Sequence, residues 1–107
     1  MTFRRHAEAA LGALKKALLQ TEGQAEFEVE EQGGALNILF EDPPARFVLA
    51  PNGPVRQIWI SALYTSFKLD WDDALGDFIY HKTGEKLRPL VARLINEQLG
   101  GGDVVLP

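Results

Sequence analysis

The chain has 107 residues, of which 46% are hydrophobic and 24% charged, so it is long enough for one hydrophobic core and has the composition of a folded globular domain. Its formal net charge of -4 disfavours nonspecific binding to nucleic acid or to an anionic membrane, because both require a positive surface. The absence of cysteine excludes disulfides, thiolate metal sites and cysteine nucleophiles, so a metal would have to bind oxygen or histidine.

No stretch approaches the roughly 20 apolar residues of a membrane span, and the first residues lack the apolar run, about 7 to 15 residues long, of a secretory signal. We therefore expect a cytoplasmic protein in which residues 1–107 form a single domain.

Residues 2–21 predict an amphipathic helix, because apolar side chains recur at steps of three and four. Thr2 is predicted to cap this helix, and Gly23 is predicted to end it. The apolar positions are Phe3, Ala7, Ala10, Leu11, Leu14 and Leu18.

Between residues 25 and 81 the period changes to two, and turn signals at residues 33–34, 42–44 and 51–54 divide the segment into five or six antiparallel strands. Glu26, Glu28 and Glu30 alternate with the inward residues of the first predicted strand. The predicted inward residues are, strand by strand, Phe27 and Val29; Leu36, Ile38 and Phe40; Phe47 and Leu49; Ile58 and Ile60; Phe67, Leu69 and Trp71; and Phe78 and Tyr80.

Residues 87–99 predict a second amphipathic helix, with Pro89 in its first turn, where a missing N–H is tolerated. The glycines at 100–102 end this helix, and the apolar tail 103–107 is expected to fold back onto the core. Since each strand has one apolar face and each helix one apolar stripe, we predict an α+β fold, a two-layer sandwich with both helices on one face of the sheet.

In this predicted arrangement Trp59, a large apolar residue, is exposed to solvent, which is energetically unfavourable. If Ile58 and Ile60 face the core, Trp59 points to the opposite, polar face of the sheet, together with Gln57 and Ser61. Lys68 and Asp70 are predicted to lie on the same face of the neighbouring strand. An exposed indole on a polar face is a candidate contact point for a partner.

The run Pro-Val-Arg-Gln-Ile-Trp-Ile-Ser at residues 54–61, followed by Asp70-Trp71, by Phe78-Ile79-Tyr80 and by Gly84, resembles the frataxin family. The resemblance extends over essentially the whole chain. It implies a monomeric iron-binding accessory protein of iron–sulfur cluster assembly, which regulates a cysteine desulfurase bound to a scaffold protein.

The resemblance implies two functional surfaces. The first, centred on the exposed tryptophan, would contact the desulfurase and the scaffold. At the matching positions this chain has Asn52 in the loop before the strand, Arg56, Gln57, Trp59 and Lys68. The alternative is that a neighbouring side chain, or Tyr64, covers Trp59, which would then only stiffen the sheet.

The second implied surface is a row of carboxylates that binds Fe(II) or Fe(III) weakly, for which the candidates are Glu8, Glu22, Glu26, Glu28 and Glu30, with Glu31 as a neighbour. Alternate residues on a strand lie about 6 to 7 Å apart, so they can share a cation but cannot enclose it.

The first helix departs from the family pattern, because it carries Arg4, Arg5, Lys15 and Lys16 where frataxins have acidic residues. Alternating glutamates also protect an edge strand from pairing with another chain.

No motif for an enzyme active site is recognisable, and we expect no catalysis. His6 and His81 are predicted to be surface residues, and Asp72, Asp73 and Asp77 to be solvated turn residues. Two alternatives stay open: a ferroxidase that oxidises Fe(II) at the glutamates, and an acidic secretion chaperone or similar adaptor, which would usually dimerise.

Overall fold

The computed structural model describes residues 2–24 and 26–106. Helix α1 (Thr2–Thr21) is followed by seven strands and by helix α2 (Leu87–Gln98). The strands are β1 (Glu28–Gln32), β2 (Ala35–Glu41), β3 (Pro44–Asn52), β4 (Gln57–Ala62), β5 (Thr65–Asp72), β6 (Asp77–Tyr80) and β7 (Glu85–Lys86). In this part of the chain, neither helix is long and apolar enough to cross a bilayer.

The strands form one antiparallel sheet in which each strand pairs with the next along the chain, in the order β1 to β7. The predicted two-layer α+β fold is confirmed, but the sheet has seven strands instead of five or six. The sheet was predicted to end at residues 83–84, whereas Glu85 pairs with Tyr80 and Lys86 with Ile79. A two-residue strand is too short to show an alternating pattern.

Helix α1 has its predicted bounds, and the 3-10 turn that follows it (Glu22–Gln24) contains Gly23. Helix α2 ends at Gln98, one residue before its predicted end. Pro89 is the third residue of α2, in the first turn as predicted. The predicted cap formed by the Thr2 side chain lies outside the described part of the chain.

One hydrophobic core fills the space between the sheet and the two helices. The predicted inward residues of β2, β3 and β4 are buried, and Phe27 is buried although it precedes β1. Val29, Trp71 and Tyr80 pack against the core at its margin. Burial of one large aliphatic side chain contributes about 1.5 to 3 kcal/mol to the free energy of unfolding. The side of the sheet that packs against the helices therefore contributes most of the hydrophobic stabilisation. The residues contributed by the helices are Ala7, Leu11, Leu14, Ala17, Leu18, Leu87, Leu90, Val91, Ala92, Leu94 and Ile95.

The tail and β7 are each fixed to α2. The Asn96 amide donates to the Val104 carbonyl at 3.1 Å and accepts from the Val104 N–H at 3.0 Å, and Leu106 is buried, so the prediction that the tail folds back is confirmed for residues 103–106. Arg93 donates to both carboxylate oxygens of Glu85, from Nε and from Nη2, at 2.8 Å each. This bidentate bond holds the pKa of the Glu85 carboxyl below its usual range.

Candidate functional site

The orientation of Trp59 follows from the alternation of β4. Ile58 and Ile60 are 0% and 1% exposed beneath the helices, whereas Trp59 is 37% exposed on the opposite face of the sheet. The predicted orientation is therefore confirmed. Because both helices pack on the other side, the indole lies on a face that no helix covers within the described residues.

The exposed Trp59 ring has contacts with two neighbouring side chains. Its Nε1 donates to Gln57 Oε1 at 2.7 Å, and Gln57 Nε2 donates to Asp70 Oδ1 at 3.0 Å. Lys68 Nζ lies 4.8 Å from the centre of the indole ring, in cation–π geometry. Neighbouring side chains thus fix the ring, whereas Tyr64 is fully exposed at the β4–β5 turn and does not cover it.

The sheet register brings four of the five predicted partner-binding residues together. Asn52 is opposite Gln57 in the β3–β4 pair, and Trp59 is opposite Lys68 in the β4–β5 pair. Asn52 is the last residue of β3, so its prediction as a loop residue is wrong. Arg56 lies at the edge of this face, in the turn before β4, with a positive φ of 55° and its N–H bonded to the Gly53 carbonyl at 3.1 Å.

Asp70 was predicted to lie on the open face but was not among the predicted site residues. Its carboxylate accepts from Gln57 through Oδ1 and lies 3.7 Å from His81 Nε2 through Oδ2. Alternation with Lys68 along β5 is a signal for the position of Asp70, but no local signal indicates His81. His6, predicted to be a surface residue, is partly buried and stacks on the Trp71 ring, with the ring centres 3.7 Å apart.

The carboxylates predicted to bind iron do not converge. Glu28 and Glu30 are exposed on the same face of β1. Glu26 precedes β1, so the prediction that it belongs to this strand is wrong: pairing begins at Glu28, opposite Leu39, after Phe27 has entered the core.

The remaining candidates already have partners. Glu8 lies 3.0 Å from Arg4 Nε on α1, and Glu22 accepts the Val29 N–H at 2.9 Å. Glu31 faces the helix side and binds Lys15 at 2.7 Å, at the rim of a groove of about 670 Å³ between α1 and the sheet. In residues 2–24 and 26–106 there is no group of three or more acidic or histidine side chains that could hold a metal ion. Among the candidates, Glu28 and Glu30 are the two that share one exposed face of a strand.

A family model described as the frataxin-like domain matches residues 1–101. The chain belongs to the frataxin-like family. An iron-sulfur cluster assembly protein CyaY of Azotobacter vinelandii is 34% identical to it over 73 residues, which cover 68% of this chain and 66%, just under two thirds, of the relative. A CyaY protein of Pseudomonas aeruginosa with the same description is 34% identical over 82 residues, which cover 77% of this chain and 74% of the relative.

The frataxin-like fold is also seen in a solved structure of frataxin from Psychromonas ingrahamii. It superposes with a TM-score of 0.82 over 99% of this chain and 95% of the other, at 17% sequence identity. At that identity the likeness shows the fold alone, including the two helices on one side of the sheet.

The Trp59 face of this frataxin-like chain is the side of the sheet that faces away from the core. Its centre is an oriented indole with an amide beside it and a lysine above it. Tryptophan is enriched among the central, energetically dominant residues of protein–protein interfaces. The geometry therefore suits the binding of a protein surface.

Proposed function

We propose that this chain is an accessory protein of iron–sulfur cluster assembly, and that it binds a complex of cysteine desulfurase and scaffold protein through the face around Trp59. Membership of the frataxin-like family and the description of its relatives as iron-sulfur cluster assembly proteins support the role in assembly. The orientation of Trp59 is the observation that supports this face as the docking surface.

The energetics favour Trp59 as the centre of the contact. Covering a large aromatic ring with a well-packed partner contributes about 2 kcal/mol or more at interface hot spots. The bond from the indole to Gln57 fixes the ring before the partner arrives, so little side-chain freedom is lost on binding. Lys68 and Arg56 provide donors near the ring, and a complementary partner would supply carboxylate or carbonyl oxygens.

A pull-down with the host's purified desulfurase and scaffold tests this proposal. Trp59→Ala should keep its fold but bind about 30-fold more weakly, which corresponds to a loss of roughly 2 kcal/mol. Trp71→Phe is the matched control, because Trp71 lies at the core margin on the other face and its substitution should leave binding unchanged. Equal retention of wild type and Trp59→Ala would contradict the proposal.

We propose further that iron binds weakly, at the exposed pair Glu28 and Glu30, as a cargo or regulatory ion. Two carboxylates on an open strand neutralise part of the charge of a cation but leave most of its coordination to water. The affinity should therefore be micromolar or weaker.

In this proposal the chain acts by binding rather than by catalysis. The ferroxidase alternative makes a different prediction: addition of Fe(II) would consume oxygen faster than in buffer, and substitution of Glu26, Glu28 and Glu30 by Gln would abolish the effect. The adaptor alternative rests on small size, acidity and mixed α/β content, which membership of the frataxin-like family accounts for equally well. It predicts a dimer, whereas we expect a monomer in sedimentation experiments.

A further inference from the structure

Tyr64 stands at the tip of the hairpin that carries Trp59. Ala62 pairs with Thr65, so Leu63 and Tyr64 form a two-residue turn between β4 and β5. Both residues have positive φ, 53° for Leu63 and 61° for Tyr64, as a type I′ turn requires. Asn and Gly are the residues that usually occupy such positions, because a larger side chain strains the left-handed conformation.

The two turn residues differ in what they gain from this conformation. Leu63 packs against the core, which offsets its backbone strain. Tyr64 has a relative exposure of 109%, so nothing in the described part of the chain covers its ring. Strained residues that bring no stabilising contact are concentrated at functional sites.

We infer that Tyr64 is a second aromatic anchor of the docking surface around Trp59, an inference that rests on the proposed function. Five residues of extended chain span at most about 17 Å, so both rings fit within one interface of about 800 Å² per partner. Ser61 and Ser66, which pair with each other, provide small polar side chains between the two anchors.

The arrangement defines the kind of partner. It is a protein surface with two apolar depressions, one for the Trp59 indole and one for the Tyr64 ring. Polar groups on the intervening ridge would bond to the serine hydroxyls, and a carboxylate would lie opposite Lys68. The desulfurase–scaffold complex is the partner proposed to have this surface.

Affinity and stability measured on the same variants test the inference. Tyr64→Asn removes the ring but suits positive φ, so it should weaken binding at least tenfold while leaving the thermal midpoint unchanged or raised by up to about 4 °C. Tyr64→Phe keeps the ring and should bind within threefold of wild type. Leu75→Asn is the matched control, since Leu75 is a 51% exposed apolar residue in the β5–β6 turn, and it should bind like wild type.

Several results would overturn the inference. If Tyr64→Asn binds like wild type while Trp59→Ala binds weakly, the docking surface stands and Tyr64 is not part of it. A lowered thermal midpoint for Tyr64→Asn would show that the ring stabilises the turn instead. A dimer that Tyr64→Asn dissociates would assign the ring to self-association. If wild type does not bind the complex, the proposed function falls together with this inference.

Discussion

The Trp59 side chain combines exposure with a fixed orientation. Its Nε1 is bonded to Gln57 at 2.7 Å, and Gln57 is itself held by Asp70. A side chain that already has its bound orientation loses less rotamer freedom when a partner covers it. In the proposed docking surface, Gln57 and Asp70 therefore have a positioning role, which is to orient the indole for a partner.

Replacement of Gln57 tests this positioning role. Gln57→Ala should leave the free energy of unfolding within about 0.5 kcal/mol of wild type, because the site is on the surface. Exchange of the Trp59 indole proton with solvent, followed by NMR, should accelerate. The Trp71 indole is an internal control, since Asp73 accepts its N–H at 2.6 Å and the variant leaves that bond intact. An unchanged exchange rate at Trp59 would contradict the positioning role.

Residue patterns predicted where Trp59 points but not what holds it. Alternation in β4 is a local property, so the sequence was sufficient to place Ile58 and Ile60 inside and Trp59 outside. The bond between Gln57 and Asp70 depends on the register of β4 against β5, which local patterns do not define. The same reason explains why His81 was not recognised beside Asp70.

Among the elements, the edge strand β1 carries the proposed iron-binding pair. We expect calorimetry to show a dissociation constant for iron that is micromolar or weaker, because two carboxylates on one strand face lie about 6 to 7 Å apart and cannot enclose an ion. Substitution of Glu28 and Glu30 by Gln should remove this binding. Asp103→Asn, at an exposed carboxylate in the tail, is the control and should not change it. Nanomolar binding at a single site would be incompatible with this geometry.

The contact between β7 and α2 gives a prediction about pH. The hydrogen bond from Arg93 lowers the pKa of Glu85 below its ordinary value of 4.5. A depressed pKa in the folded state means that Glu85 contributes stability above pH 4.5 and loses this contribution as the pH falls through the folded-state value. We expect Glu85→Gln to lower the free energy of unfolding by about 1 kcal/mol at pH 7, with a smaller difference below pH 4.

Urea denaturation at a series of pH values measures this difference. Glu8→Gln is the control, because its ion pair with Arg4 is largely exposed and should contribute little at any pH. A difference for Glu85→Gln that does not change between pH 7 and pH 3 would show that the carboxylate charge is not its cause.

The boundaries of an element could be predicted where its periodic pattern was long. The prediction was wrong where tertiary packing determines the boundary. Both helices and the β2 to β4 core positions follow from repeated apolar residues. In β6 the predicted inward residues were Phe78 and Tyr80, whereas Phe78 and Ile79 are buried and Tyr80 is partly buried. The start of β1 was predicted two residues early, because the alternation at Phe27 reflects burial before pairing begins. β7 exists because the chain folds back at residues 81–84, and two residues have no pattern of their own.

The whole molecule is asymmetric about its sheet, with one face buried under two helices and the other open. This division predicts opposite effects for adjacent residues of β4. Ile60→Ala should lower the free energy of unfolding by about 2 to 4 kcal/mol, because it leaves a cavity in the core. Trp59→Ala should lower it by less than about 1 kcal/mol, because the ring is on the open face. Comparable losses for the two variants, measured by urea denaturation, would contradict the division.

The separation of the predicted iron-binding carboxylates from one another is also a property of the whole fold. Glu8, Glu22 and Glu28 lie on a helix, in a turn and on a strand, and the first two are engaged by Arg4 and by the Val29 N–H. Because of the family resemblance and their proximity along the sequence, these glutamates were predicted to form one set of iron ligands. Only the packing of α1 against the sheet determines which of these side chains meet.

Docking through the open face is tested most directly by cross-saturation NMR, in which magnetisation passes from the unlabelled desulfurase–scaffold complex to this isotope-labelled chain. We expect loss of signal at the Trp59 indole and at the amides of Gln57, Ser61 and Lys68, with the outer surface of α1 at Lys16 unaffected. Loss of signal along α1 or α2, with the Trp59 indole unchanged, would contradict it.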